Sequence, residues 1–421
     1  MSLTLGIDIG TSGVRTAVLD ENCCVIAMAR AEHLPQNPDR IDAYLWWEAV
    51  KACIHKQNIE LKKAGCSAAD ISRIAVDGTS GTMVLVDEKL RPVTRGLMYN
   101  SKGFAQEADQ IAALAPINHI TQGSASALGR AMRLVKEDQH SKARHLLHQA
   151  DYIAAMLMER GGLSDHNNAL KTGFDPQNEK WPKWIDQLIE TDLLPDPIVV
   201  GAPMDLVSPS VSSELGLSKN ATVYAGTTDS IAAFFACAPK LEGAAVTSLG
   251  STLAIKVLGM ERIDDPSIGL YSHRVGDHWL SGGASNTGGA VLASLFSTEE
   301  LISLSTQIDP QRQSPLDYYP LLSPGERFPI NDPDYPPRLE PRPAYDVEFL
   351  HGVLESMARI EEQCYRVVEA GGGTFPSRIY TAGGGAKNSS WTAIRARVLG
   401  VTPVSSENTE AAIGVAQLAI K

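Results

Sequence analysis

The sequence predicts a two-domain α/β protein, and three observations support this class. A chain of 421 residues is too long for one hydrophobic core, because single cores stop growing at about 250–300 residues. Strand-like and helix-like hydrophobic periods follow one another along the whole chain. The pattern of the N-terminal segment also restarts near residue 220, and further on LGSTLAI at residues 249–255 repeats the small-residue interruption of IGTSGVRTAV. We therefore expect one domain over residues 1–225 and a second over 226–421.

The composition restricts the class of function. Hydrophobic residues make up 43% and charged residues 20% of the chain, and the net charge is −12. An acidic surface argues against nonspecific binding to nucleic acid or to anionic membranes. Anionic ligands remain possible, because backbone N–H groups can bind phosphate locally. The six cysteines lack metal-ligand spacing, and neither a leader nor a bilayer-spanning run is present, so we expect a cytoplasmic protein.

The elements follow in a definite order. Residues 3–30 predict a β-meander, and Asp42 is a candidate cap for the helix that comes next. Residues 103–160 are expected to be mostly helical, and three of their histidines are interpreted as surface residues (His140, His145 and His148). Residues 305–345 are proline-rich and predict an ordered excursion. A long helix is expected at about 347–370, and a last helix, within about 405–421, could pack against the first domain.

The first candidate site is the turn GIDIGTSGVRT at residues 6–16. Glycines at its tip allow phosphate oxygens to approach the backbone, and its hydroxyl and guanidinium groups add donors. We expect this turn to bind nucleotide phosphates through Gly10, Thr11, Ser12, Gly13, Val14 and Arg15. Asp8 and Ser12 are also candidate contacts for one end of a sugar. Asp8 could hold Mg²⁺ through water. The alternative is an ordinary hairpin turn beside a buried aspartate.

A second polar turn occurs in AVDGTSGTMVLV. Asp77, Thr79 and Ser80 crowd its tip, and this density of polar groups suits a polyhydroxylated ligand. The alternative is a turn whose side chains only satisfy their own backbone.

Asp229 follows a strand and precedes the apolar run SIAAFFAC. This position is typical of a helix N-cap. A carboxylate there could also accept a proton from a hydroxyl group, and the two interpretations are compatible.

Two further segments lie in the second half of the chain. The turn of LGSTLAI could provide another phosphate site through Gly250, Ser251 and Thr252. The stretch AGGGAKNSSW places three glycines between a strand and a helix, which a close approach of the backbone to a flat ligand would explain. Its candidate residues are Gly383, Gly384, Gly385, Asn388 and Trp391.

Taken together and in order, these segments resemble the FGGY carbohydrate kinases. The resemblance also covers DHNNALKTGFDPQNEKW, SGGASNTGGAVL and EAAIGVAQLA. It implies two ribonuclease-H-like domains of the actin, hexokinase and Hsp70 superfamily, with mixed sheets flanked by helices and with ATP, Mg²⁺ and a sugar in an interdomain cleft. In this resemblance Asp229 matches the catalytic base, the two turns match the phosphate loops, and AGGGAKN matches the adenosine motif.

Two departures from the family pattern bear on the acceptor. The chain is shorter than the roughly five hundred residues common in the family. VDGTSGT also lacks the histidine that xylulokinases carry in QMHG, and GLMYNSKG lacks the usual tryptophan–aspartate–arginine grouping. We therefore expect D-ribulose as the acceptor, with D-xylulose as the alternative. A polyol-directed kinase is a third candidate, and a nucleotide-dependent ATPase switch without sugar transfer is a candidate of a different class. The expected state is a monomer or homodimer.

Overall fold

The computed structural model describes residues 2–37 and 40–420. The chain forms two compact units. The first contains residues 1–236, 274–276 and 410–421, and the second contains residues 237–273 and 277–409. Both are α/β units with a central mixed sheet, so the predicted fold class is confirmed. No helix in the described part of the chain combines the length and apolar character needed to span a bilayer.

The first unit is built on a six-stranded sheet. Its strands and helices are β1 (Leu3–Ile9), β2 (Gly13–Leu19), β3 (Val25–Glu32), α1 (Tyr44–Lys63), β4 (Ile71–Gly78), β5 (Met83–Val86), α2 (Ala105–Leu114), α3 (Ala127–Glu137), β6 (His145–His148), α4 (Gln149–Met158), β7 (Leu163–Asp165), α5 (His166–Lys171), β8 (Asp196–Ile198), β9 (Pro203–Leu206), α6 (Pro209–Leu215), β10 (Thr222–Thr228) and α7 (Asp229–Cys237).

Parallel pairing at the centre of this sheet positions the first candidate site. The strand order is β3-β2-β1-β4-β10-β9. β4 pairs in parallel with both β1 and β10, whereas β2 is antiparallel to β1. Asp77 of β4 lies opposite Asp8 of β1 on one side and opposite Thr227 of β10 on the other. Three strands therefore end at the same edge, with their polar residues in register.

The second unit contains an analogous sheet. Its elements are β11 (Ala244–Leu249), β12 (Leu253–Gly259), β13 (Tyr271–Val275), β14 (His278–Ser285), α8 (Gly289–Leu295), α9 (Thr298–Ser305), α10 (Asp346–Ala370), β15 (Arg378–Ala382), α11 (Ser389–Leu399) and β16 (Val404–Ser405). The strand order is β13-β14-β12-β11-β15-β16. An antiparallel group joins β11, β12 and β14, and β15 lies parallel to β11. The repeat predicted from LGSTLAI and IGTSGVRTAV is thus present as two sheets of similar order.

The last helix, α12 (Ala411–Leu418), belongs to the first unit. It packs so closely on β1 that a Cβ on Gly6 would lie 1.9 Å from the carbonyl oxygen of Ala412. The same helix approaches α7, where a Cβ on Gly414 would lie 1.8 Å from the carbonyl oxygen of Ala232. Glycine is required at both points because neither backbone carbonyl has room for a side chain.

One ion pair lies at the centre of the second unit. Arg395 of α11 and Glu361 of α10 are both fully buried, and Arg395 donates to both carboxylate oxygens at 2.6 and 2.7 Å. Arg395 also donates to Thr381 of β15 at 2.9 Å, and Thr247 of β11 donates to Glu361. This network ties two helices to the two strands whose ends carry the candidate nucleotide segments.

The histidine interpretation was wrong at one position. Residues 103–160 contain the strand β6 as well as three helices, and His145 and His148 lie at the two ends of that strand. His148 is only 1% exposed, because β6 pairs with β5 and leads directly into α4. The proposed Asp42 cap also differs in detail, since Ala43 is the N-cap of α1 while Asp42 accepts from the Tyr44 N–H.

We expect Arg395→Met to lower the free energy of unfolding by about 3–5 kcal/mol, because it leaves the buried carboxylate of Glu361 without a counter-charge. The double variant Glu361→Leu with Arg395→Met should lose less of the free energy of unfolding. Urea unfolding measures this free energy for both variants. Arg366→Met is the control, because its pairs with Glu362 and Glu369 lie at the surface, where ion pairs contribute little to stability. A double variant less stable than Arg395→Met would contradict the assignment.

Candidate active site

The turn between β1 and β2 exposes the groups predicted to bind phosphate. Gly10 N–H donates to the Gly13 carbonyl at 2.9 Å, which closes the turn, and Thr11 and Ser12 are exposed at its tip. His33 donates from Nε2 to the Gly10 carbonyl at 2.9 Å. Hydrogen bonds at Gly10 therefore hold the backbone that carries these two hydroxyl groups. Val14 differs, because its side chain is in the core and its backbone lies in the sheet between β1 and β3, so its contact with phosphate stays a prediction.

Arg15 leaves the same turn and is partly exposed. Its Nη1 lies 3.3 Å from Asp8 Oδ2, and its Nε lies 3.4 Å from Glu410 Oε2. The guanidinium is thus held between two carboxylates beside the turn. The sequence motif gave no indication of Glu410, because this residue enters from the distant C-terminal segment that precedes α12.

Asp8 and Asp77 form a buried carboxyl pair in the first unit. Asp77 is fully buried, and Asp8 is 4% exposed. Burial raises the pKa of Asp8 although Arg15 lowers it, and the charge of Asp229 adds to the rise. Burial, followed by the charges of Asp8 and Asp229, raises the pKa of Asp77 well above its ordinary value. Like charges in a site of low dielectric cannot all be accommodated without a proton or a cation.

In the described part of the chain, the surroundings of Asp77 offer its carboxyl group no hydrogen-bond donor. Within residues 2–37 and 40–420, no N–H or hydroxyl group donates to either carboxyl oxygen of Asp77. A negative charge on Asp77 would therefore be buried without a hydrogen bond to compensate it, which agrees with the raised pKa of this carboxyl.

Asp229 is the first residue of α7 and directly follows β10. Its Oδ1 accepts from the Ser230 N–H at 2.6 Å. The side chain is half-buried, whereas Thr227 and Thr228 before it are fully buried. The structure thus brings Asp229 together with Asp8 and Asp77, residues more than 150 positions away in the sequence.

The turn after β4, residues 78–82, is named here the acceptor turn. Most of its hydroxyl groups are engaged inside the protein. Thr79 is buried, and its hydroxyl donates to Gln149 Oε1 at 2.7 Å and lies 2.7 Å from the Thr82 hydroxyl. Thr82 in turn accepts from the Tyr99 N–H at 3.0 Å. Ser80 is half-buried at the tip, so it is better placed than Thr79 to contact a ligand.

Sequence reasoning missed a second group around Asp77. Asp165 is buried, accepts from the backbone N–H groups of Asn167 and Asn168, and has its pKa raised by burial to about 6. Asn167 donates from Nδ2 to Thr227 Oγ1 at 3.0 Å, next to the site in β10. The segment DHNN belonged to the family resemblance, but nothing in its local pattern indicated which of these residues approaches Asp77.

The second unit presents its two candidate segments at the ends of β11 and β15. In the turn Gly250–Thr252, the carbonyls of Gly250 and Ser251 accept from the N–H groups of Gly289 and Ala290 at 2.8 and 3.0 Å. The Ser251 side chain is exposed. This turn is therefore fixed by the start of α8, and its side chains remain available to a ligand.

The glycine segment lies beside that turn. Gly383 has φ +87°, and a Cβ there would lie 2.5 Å from the Leu249 carbonyl oxygen, so only glycine fits. Gly384 is exposed. Asn388 caps α11 by accepting from the Trp391 N–H at 3.0 Å. Trp391 itself is only 1% exposed and packs against Gly385 in the core, so its contact with nucleotide stays a prediction.

The side chains here would suit a magnesium ion only if the ion kept several of its water ligands. No cluster of three or more ligating side chains exists within the described residues. Asp8, the predicted ligand, lies in a group of carboxyls whose mutual repulsion a cation would relieve. Mg²⁺ usually needs only one or two carboxylates because it keeps several waters and substrate oxygens. The residues present are compatible with that mode.

Family comparison covers almost the whole chain. The model of the FGGY family of carbohydrate kinases, N-terminal domain, matches residues 3–236, and the model of its C-terminal domain matches residues 245–421.

Individual relatives are distant in sequence but similar in fold. A xylulose kinase of Staphylococcus xylosus is 21% identical over all of this chain and 90% of its own length. The crystal structure of xylulose kinase from Rhodospirillum rubrum superposes with a TM-score of 0.85 at 19% identity, covering 99% of this chain and 89% of that one. Gluconate kinase from Lactobacillus acidophilus gives 0.82 at 16%, covering 99% and 88%. At these identities the structural likeness shows the fold.

We expect Asp77→Asn to raise the free energy of unfolding at pH 7, because the neutral amide removes the cost of keeping a carboxyl group in this buried site. An acid whose folded pKa is raised binds more protons folded than unfolded above its unfolded value near 3.8. The free energy of unfolding therefore falls as pH rises above that value, and asparagine removes this fall. Urea unfolding at pH 5 and pH 8 measures the difference.

The free energy of unfolding that Asp77→Asn gains over the parent protein should be larger at pH 8 than at pH 5. Asp87→Asn is the control of opposite sign, because Arg91 lowers the pKa of this partly exposed carboxyl. An Asp77→Asn variant that is less stable than the parent protein at both pH values would contradict the repulsion argument.

Proposed function

Because this chain belongs to the FGGY family of carbohydrate kinases, we propose that it transfers the γ-phosphoryl group of ATP to the terminal hydroxyl of a ketopentose in the cytoplasm. D-ribulose is the favoured acceptor, and D-ribulose 5-phosphate would be the product. The observation that carries the proposal is the meeting of Asp229 with the buried pair Asp8 and Asp77 at the ends of adjacent strands.

In the proposed mechanism Asp229 is the general base. It would accept the proton of the acceptor hydroxyl as that oxygen attacks the γ-phosphorus in line. Its place at the start of α7 favours the ionised carboxylate. In this role the carboxylate takes up the proton only as the new bond forms.

We assign the phosphates to the two turns. The exposed hydroxyl groups of Thr11 and Ser12 in the first unit would stabilise the charge that spreads over the transferred group, and the exposed hydroxyl group of Ser251 would bind phosphate in the second unit. Asp8 would hold Mg²⁺, which when bound neutralises phosphate charge. Gly383, Gly384 and Asn388 would accommodate the adenosine, because their backbone leaves room for a flat ligand.

The choice of D-ribulose is supported by the acceptor turn. VDGTSGT offers an acid and hydroxyl groups where the xylulokinase pattern carries a histidine. Relatives bear the names xylulose kinase and gluconokinase, so D-xylulose is the second candidate. A buried carboxyl pair of raised pKa beside a polar turn serves no purpose in a nucleotide switch alone, which favours transfer over the switch.

We expect release of ADP from MgATP to be strongly stimulated by one ketopentose. A coupled assay with D-ribulose, D-xylulose, L-ribulose, glycerol and no sugar measures this. Stimulation by D-ribulose above the other acceptors supports the proposal. Equal ADP release with and without every sugar would contradict sugar transfer and would favour the switch.

We expect Asp229→Ala to reduce sugar-dependent turnover by at least about 100-fold, in the range of general-base catalysis. Nucleotide affinity, measured by calorimetry, should change little, because the assigned nucleotide residues are elsewhere. Asp186→Ala, which alters an acidic residue in the helical turn Ile185–Gln187, is the control. Unchanged phosphorylation in Asp229→Ala would exclude this residue as the base.

A further inference from the structure

Arg130 of α3 is a buried cation at the acceptor turn. Its side chain is 3% exposed. Nε donates to the Gly81 carbonyl at 2.8 Å, and Nη1 donates to the Tyr99 carbonyl at 3.0 Å. Gly81 has φ +78°, and a Cβ there would lie 2.7 Å from Nη2 of Arg130. The guanidinium therefore lies directly against the tip of the turn, beside Ser80.

The positive charge of Arg130 has only neutral partners. Across residues 2–37 and 40–420 it forms no ion pair, and its Nη2 donates no hydrogen bond. Burial lowers the pKa of Arg130 to about 10, which still leaves the side chain charged at neutral pH. A buried cation without a carboxylate is costly, and two carbonyls alone could be satisfied by a neutral amide.

Other basic residues on the same helix are compensated. Arg133, one turn further along α3, donates to both oxygens of buried Glu107 at 2.9 and 2.8 Å. Lys136 also binds that carboxylate. Among these basic residues of α3, Arg130 differs in facing the acceptor turn and in having no carboxylate partner in the described part of the chain.

Most hydroxyl groups of the acceptor turn already form hydrogen bonds within the protein. The hydroxyl of Thr79 donates to Gln149, and Thr82 is occupied by the Tyr99 N–H and by Thr79. The hydroxyl of Ser80 and the Nη2 group of Arg130 remain for a ligand. A cationic donor of this kind selects a strong acceptor oxygen, such as a carbonyl.

The proposed reaction places such an oxygen on the substrate. A 2-ketopentose closes its unstrained ring through the terminal oxygen. The hydroxyl that attacks ATP is therefore free only in the open-chain form, and in that form the C2 carbonyl is exposed. A polyol of the same length has the same terminal hydroxyl but lacks the carbonyl.

We propose that Arg130 is a specificity-determining residue, whose Nη2 donates to the C2 carbonyl of the open-chain ketopentose and so selects ketoses over the corresponding polyols. This inference rests on the proposed function, because it concerns the acceptor of the same reaction. It adds a residue and a chemical feature of the substrate that the motifs did not indicate.

The test compares kcat/KM for D-ribulose with ribitol, and for D-xylulose with xylitol. In Arg130→Met we expect kcat/KM for the preferred ketose to fall about 10- to 100-fold, as for loss of a charged hydrogen bond, mainly through KM. Turnover of the polyol should change less than about threefold, and KM for ATP should stay constant. Arg133→Met is the matched control, with an unchanged ratio of ketose to polyol.

Two further variants keep the test decisive if Arg130→Met does not fold. Arg130→Lys keeps the charge, and Arg130→Gln keeps a neutral donor, so the lysine variant should retain more of the ketose preference. Equal losses for ketose and polyol in every variant, or no loss in any, would overturn the inference while leaving sugar transfer intact. Absence of transfer to any acceptor by the unaltered protein would overturn the proposed function and this inference with it.

Discussion

The parallel pairing of β1, β4 and β10 is the constraint on which the first unit depends. It ends three strands at one edge and so forces Asp8 and Asp77 into register inside the protein, with Asp229 at the start of the following helix. The sheet supplies the geometry, and the burial supplies the electrostatic strain. Carboxyls arranged in this way do not stabilise a fold, and their cost is understandable where charge must be bound and moved.

The second unit is built on a sheet of similar order, but a different interaction holds it together. Its exposed turns must hold their shape without a carboxyl cluster, and the buried pair of Glu361 and Arg395 meets that need. Through Thr247 and Thr381 the pair reaches the strands that end in the two candidate nucleotide segments. Small residues at those ends keep the backbone open, and the buried charges below them keep it in place.

The acceptor turn shows why hydroxyl density alone is a poor guide to binding. Thr79 and Thr82 look equivalent to Ser80 in the sequence, yet both are committed to Gln149, Tyr99 and each other. What remains is one half-buried hydroxyl and the charge of Arg130 behind it. The functional group at this turn is therefore defined as much by what the fold has already satisfied as by residue type.

The sequence by itself determined the α/β class, the repeated strand interruption, the long helix at Asp346–Ala370 and the family, because these depend on local periodicity and on ordered motifs. It also indicated Asp8, Asp77 and Asp229 one at a time. Only the tertiary structure decided that these three meet, that His148 is buried, and that Asp165, Glu410 and Arg130 approach the site. Those outcomes follow from strand register and long-range packing, and residues distant in sequence carry no local signal of either.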